Sequence, residues 1–170
     1  MFHEAMLCHK RNIDRDTIFN VCEQYKTEDL PEKSLSNACY DYAVDIVNHE
    51  KKTVLYLAVE NGNKYEVHVI LVNCRKTDDM PVGLSPLIAA LLMHNHEMLR
   101  IIIQHRPTWI HTRDKHEMLP LHYAASLGYL EGVDLLLGLC KCCTIQRDKY
   151  GYFPIHLASY GGHVEVVKKF

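Results

Sequence analysis

The sequence predicts an all-α solenoid of tandem helix-turn-helix units joined by hairpin loops. Three observations carry that expectation. First, Leu119-Pro-Leu-His-Tyr-Ala-Ala-Ser-Leu-Gly128 and Phe153-Pro-Ile-His-Leu-Ala-Ser-Tyr-Gly-Gly162 agree in residue type at nearly every position, at an offset of 34. The pattern begins 34 residues earlier at Ser85-Pro-Leu-Ile-Ala-Ala-Leu-Leu, and 32 earlier again at Thr53-Val-Leu-Tyr-Leu-Ala-Val-Glu-Asn-Gly62. A fixed period in this range marks stacked repeats. Second, Pro86, Pro120 and Pro154 stand where a helix begins, since the missing N–H would have had no partner there. Third, a second helix follows each turn, with apolar residues spaced i, i+3, i+4.

The elements follow in order. Met1-Phe-His-Glu-Ala-Met6 reads as the inner helix of a degenerate unit, with an outer helix near Thr17 to Gln24. Roughly nineteen extra residues then separate it from the next unit, and the polar segment Tyr25 to Asn48 holds them as an exposed loop with a helical Asn37 to Val47. From there four units are expected at about 48–79, 80–113, 114–147 and 148–170, the last one truncated. Ala58, Ala90, Ala124 and Ala158 recur where a larger side chain would push the next unit away. Gly62, Gly128 and Gly162 close the inner helices, with His94 at the equivalent place in the second unit. The outer stripes are Val67, Ile70 and Leu71; Leu99, Ile102 and Ile103; Val133, Leu136 and Leu137. Val166, Val167 and Phe170 end the last unit, and they are expected to leave an open apolar edge, as in a fragment of a longer array.

Each unit resembles an ankyrin repeat, whose signature is T-P-L-H-x-A with a period of about 33. In that family the signature histidine bonds backbone across repeats, which is the role the resemblance implies for His122 and His156. Leu55-Tyr-Leu-Ala-Val-Glu-Asn-Gly62, Leu99-Arg-Ile-Ile-Ile, Pro120 through Gly132, Gln146-Arg-Asp148 and Gly151-Tyr-Phe-Pro-Ile-His156 are similar to plant ankyrin proteins of the accelerated-cell-death type. That resemblance implies a cytosolic array on the plasma membrane, in defence and stress signalling. It also implies a transmembrane domain that this sequence does not contain. A freestanding soluble adaptor is the second reading.

Composition fits such a module. Of 170 residues, 48% are hydrophobic and 24% charged, the proportions of a soluble globular chain. Lys plus Arg is 19 and Asp plus Glu is 21, so the net charge of −2 offers no field to gather nucleic acid or anionic lipid. The longest apolar runs, Leu84 to Met93 and Leu135 to Leu139, fall short of the roughly 18 residues that cross a bilayer, so no membrane insertion by this chain is expected. The polar start of the chain lacks a secretory pattern, and a cytoplasmic setting is expected.

Ankyrin arrays bind proteins on the hairpin tips and the exposed side of the inner helices. The repeat puts Lys115, His116 and Met118 on one tip and Lys149, Tyr150 and Tyr152 on the next, with Ser126, Leu127 and Tyr160 behind them. Tyr150, Tyr152 and Tyr160 are the candidate hot spot, because tyrosine brings a large contact area and a hydroxyl at low entropic cost.

Catalysis is not expected. The chain contains no P-loop, no Gly-x-Ser-x-Gly and no His-Glu-x-x-His, and neither His3-Glu4 nor His96-Glu97 has a second histidine at the required place. No cofactor is expected either. The seven cysteines, Cys8, Cys22, Cys39, Cys74, Cys140, Cys142 and Cys143, follow no disulfide framework and read as reduced thiols. Cys140-Lys-Cys-Cys143 is the one local cluster with chemical appeal, at a helix end where Lys141 would favour exposed thiolates. No other His or Cys stands at zinc-ligand spacing from it, so the expectation is no metal site, with a redox-responsive or metal-capturing thiol cluster as the minor alternative.

Overall fold

The computed structural model describes residues 50–74 and 85–170. The degenerate unit expected at 1–47, the Tyr25 to Asn48 loop, Cys8, Cys22 and Cys39 lie outside these residues. The chain divides into two compact units, Met1–Leu84 and Ser85–Phe170.

In the first unit, Thr53 opens helix α1 (Val54–Glu60) by accepting the Tyr56 N–H on its hydroxyl at 3.0 Å. Gly62, at φ +72°, turns the chain back. Asn63 then caps α2 (Lys64–Asn73) by accepting the Glu66 N–H at 3.1 Å, while the Glu66 carboxylate accepts from the Asn63 amide at the same distance. Val67, Ile70 and Leu71 of α2 are buried, as are Leu55, Ala58 and Val59 of α1.

The second unit holds three inner helices, α3 (Pro86–Leu92), α5 (Pro120–Ser126) and α7 (Pro154–Tyr160). Each begins at its proline and runs for seven residues. Between them come the outer helices α4 (His96–His105), α6 (Leu130–Leu139) and the short α8 (Val164–Val167). Inner helices pack on inner (α3 on α5, α5 on α7) and outer on outer (α4 on α6, α6 on α8), giving two layers. The small residues make this spacing possible: Ala90, Ala124 and Ala158 are 0% exposed. Leu99, Ile102, Ile103, Val133 and Leu136 are buried as their stripes require, whereas Leu137 is half-buried. His94 takes φ +50° at the glycine position, a left-handed turn that a non-glycine residue adopts at some cost.

Two features depart from the sequence reading. A 3-10 turn follows each complete outer helix of this unit, Pro107–His111 after α4 and Lys141–Ile145 after α6, where only loop was expected. The apolar edge at the end of the chain is also less open than expected. Val166 is buried at 1% exposure by packing within its own unit, and Val167 and Phe170 are half-buried. Val164, at 61%, is the exposed apolar residue there.

Candidate functional site

The two hairpin tips are built by a pair of aspartates that the sequence reading passed over. One Asp114 carboxylate oxygen accepts the N–H groups of His116 and Met118, both at 2.8 Å. Asp148 does the same for Tyr150 and Tyr152, at 2.9 and 2.8 Å. The backbone closes each tip, Asp114 N–H to Met118 O at 3.1 Å and Asp148 N–H to Tyr152 O at 2.9 Å. The second oxygen of Asp114 accepts the Tyr123 hydroxyl at 2.7 Å. Burial pushes the Asp114 carboxyl up, but the Tyr123 phenol and the N–H groups of Met118 and His116 outweigh it and hold the group below its usual value. The signal for these residues was present in the 34-residue offset between Asp114 and Asp148. Short polar side chains that bond N–H groups two and four residues on are turn builders.

Neighbouring tips are tied to each other. Lys149 N–H donates to His116 O at 2.9 Å, and the Arg113 guanidinium donates to Glu117 O, Arg147 O and Gln146 Oε1, each at 2.8 Å. The His116 and Tyr150 rings stack with centroids 6.4 Å apart. Lys115 and Lys149 are exposed, while His116 and Met118 are half-buried. Tyr150, Tyr152 and Tyr160 are 66%, 52% and 96% exposed. Tyr152 meets His156 edge-on at 6.2 Å, and His156 lies one helical turn before Tyr160, so the three rings share one side of α7. Ser126 and Leu127 are half-buried. The Ser126 hydroxyl donates to Tyr123 O at 3.0 Å, and its carbonyl is engaged by the His163 ring at 3.0 Å.

The two signature histidines differ. His122 is fully buried; its Nδ1 accepts the Leu119 N–H at 3.1 Å and its Nε2 reaches Tyr152 O of the next tip at 3.3 Å. His156 accepts the Phe153 N–H in the same way, at 3.1 Å, but its ring is exposed and belongs to the tyrosine surface.

The cysteine cluster is where the sequence reading needs correction. Cys140 and Cys143 are buried rather than exposed, and only Cys142 faces solvent. A fourth group lies beside the cluster although it stands far from it in sequence. His111, the last residue of the first 3-10 turn, brings Nδ1 to 3.6 Å from Cys143 Sγ and 3.9 Å from Cys140 Sγ. The Cys140 sulfur lies 2.8 Å from that of Cys142 and 2.9 Å from that of Cys143. Burial pushes the Cys140 thiol up, yet hydrogen bonds from the Cys142 and Cys143 thiols and backbone prevail and bring it below its usual value. Hydrogen bonding to Cys140, then burial, raise Cys142; burial first, then Cys140, push Cys143 up to about 12.

Among the described residues, no helix is long and apolar enough to cross a membrane. The family described as ankyrin repeats, in a three-copy form, matches residues 55–144 and 110–170, together more than half of the chain. Over 139 residues the chain is 27% identical to the NAD-dependent deacetylase sir2B of Dictyostelium discoideum, spanning 74% of this chain and 18% of that protein. It is 41% identical over 54 residues to the probable 26S proteasome regulatory subunit p28 of Saccharomyces cerevisiae, spanning 32% and 24% of the two chains. It is 38% identical over 48 residues to protein ACCELERATED CELL DEATH 6 of Arabidopsis thaliana, spanning 28% of this chain and 7% of that protein. The chain thus spans less than a quarter of the length of each of these relatives.

Proposed function

The chain belongs to the ankyrin-repeat family, and from that premise we propose that it is a non-catalytic protein-interaction module whose partner docks on the two hairpin tips and the exposed side of α7. The observation that carries this reading is the set of three exposed tyrosines, Tyr150, Tyr152 and Tyr160, beside Lys115, His116 and Lys149. Aromatic anchors on a rigid support bind with little loss of entropy. The aspartate-capped tips supply that rigidity. Met118, Ser126 and Leu127, half-buried at the foot of the same surface, would form its floor.

The stretch similar to ACCELERATED CELL DEATH 6 supports a plant defence or stress-signalling setting at the cytosolic side of the plasma membrane. The second reading is a freestanding soluble adaptor, and the stretch similar to a proteasome regulatory subunit supports a protein-binding role in either setting. Photo-crosslinking from position 152 in the native full-length protein identifies the partner and separates the two. Affinity for that partner is then compared in the wild type and in a triple variant with Tyr150, Tyr152 and Tyr160 changed to Ala. A loss of tenfold or more with an unchanged unfolding midpoint is expected. Unchanged affinity defeats the proposed surface.

A further inference from the structure

We propose that His111, Cys140, Cys142 and Cys143 bind one zinc ion as a tetrahedral Cys3His site that staples two consecutive repeats together. Three thiolates and an imidazole are an established structural zinc set, and thiolate ligands select zinc over the hard divalent cations. The four ligand atoms lie within 4.8 Å of one another. With Zn–S of about 2.3 Å and Zn–N of about 2.0–2.1 Å, a tetrahedron has S–N edges of about 3.6 Å and S–S edges of about 3.8 Å. The observed N–S separations of 3.6 and 3.9 Å already match. The Cys140–Cys142 and Cys140–Cys143 sulfur pairs, at 2.8 and 2.9 Å, need to open by about 0.9–1.0 Å, which takes rotation of the exposed Cys142 thiol for the first and of a buried thiol for the second.

The backbone prepares the geometry. Cys140 caps α6, and Cys142 and Cys143 sit in the 3-10 turn that follows, so one tight turn gathers three sulfurs. His111 ends the equivalent turn of the preceding repeat, and stacking carries it to the cluster. Cys140 and Cys143 form a buried floor, while Cys142 and His111 leave the ion an approach from solvent. The repeat itself does not ask for these residues. One period of 34 residues upstream of the three cysteines stand Arg106, Thr108 and Trp109, and the same turn forms there. Binding replaces the thiol protons with the metal: up to three protons leave, the imidazole binds neutral, and the site carries a net charge of −1 beside Lys141.

The test uses the full-length chain, reduced and stripped of metal with a chelator, then titrated with zinc against a chromophoric competitor. One zinc per chain is expected, with a rise in the unfolding midpoint. Cobalt(II) in the same site is expected to give the visible absorption of a tetrahedral thiolate complex. Both His111 and Cys142 are exposed, so His111→Ala and Cys142→Ser remove ligands with little threat to folding. Each is expected to weaken zinc about a hundredfold or more, because even outer-shell partners of a metal ligand are worth about 10–100-fold. Cys74→Ser, outside the cluster, is expected to leave affinity unchanged. The proposal is overturned by less than one tightly held zinc per chain, by octahedral cobalt, or by zinc affinity that ignores both ligand variants. Capture of the thiols as a disulfide that no zinc concentration prevents also overturns it.

Discussion

Replacing His122 with Ala tests how the repeats are locked to one another. The imidazole is 0% exposed and accepts the N–H of Leu119, itself 2% exposed. Removing it orphans that buried donor, at a cost of about 1–3 kcal/mol, and the longer contact to Tyr152 O adds about 0.5 kcal/mol. The void left by a fully buried ring adds roughly 1 kcal/mol more, so the total is about 3 kcal/mol. His156→Ala breaks the same bond, to Phe153 N–H, at an exposed ring where water takes over the donor and no void forms, so it is expected to cost less than about 1 kcal/mol. Urea unfolding followed by circular dichroism at neutral pH measures both, with hydrogen exchange at the Leu119 amide as a local readout. Acid adds a further signature. Burial, above all, lowers the His122 pKa from 6.5, so its contribution is present above that value and is lost as pH falls through the lower folded value. His122→Ala therefore flattens the acid limb of the stability profile. Equal costs for the two variants, or less than about 1 kcal/mol for His122→Ala, would refute the argument that burial of the capped donor sets the energy.

Three further outcomes are expected. Ala124→Leu forces extra carbons into a site with 0% exposure between stacked inner helices, and it should lower stability by about 1–3 kcal/mol in the same denaturation assay. Gly62→Ala and Gly128→Ala share a left-handed backbone, φ +72° and +67°, which costs about 1–2 kcal/mol with a side chain. The added methyl at 62 meets open space, whereas at 128 it comes 2.4 Å from His163 Nδ1, so only Gly128→Ala should also disturb the His163 contact to Ser126 O, at a further cost of about 1 kcal/mol or more. Burial, partly offset by the Asn63 hydrogen bond, raises Glu66 from the usual 4.5 to about 7. An acid with a raised folded pKa favours the folded state below 4.5 and loses that contribution as pH rises through about 7, so Glu66→Gln should remove this loss when unfolding midpoints at pH 5 and pH 8 are compared.

The inner helices were legible in the sequence because their signals are local. A proline opens α3, α5 and α7, and alanine recurs where neighbours must approach. The outer stripes were legible for the same reason, since helical periodicity alone selects Val67, Leu99 and Val133 as core. The 3-10 turns carried no such pattern, and neither did the difference between His122 and His156, which share a motif but not an environment.

Residue order settled the period, the helix starts and the membership of each stripe, because a helix is specified by neighbours three and four positions away. Which residues become a site was decided by stacking. A repeat of 34 residues sets side by side groups that are far apart along the chain, so His111 meets Cys140 and Cys143, and His116 meets Tyr150. Ligand spacing within one segment cannot reveal a pair whose separation is closed by the packing of two helical layers.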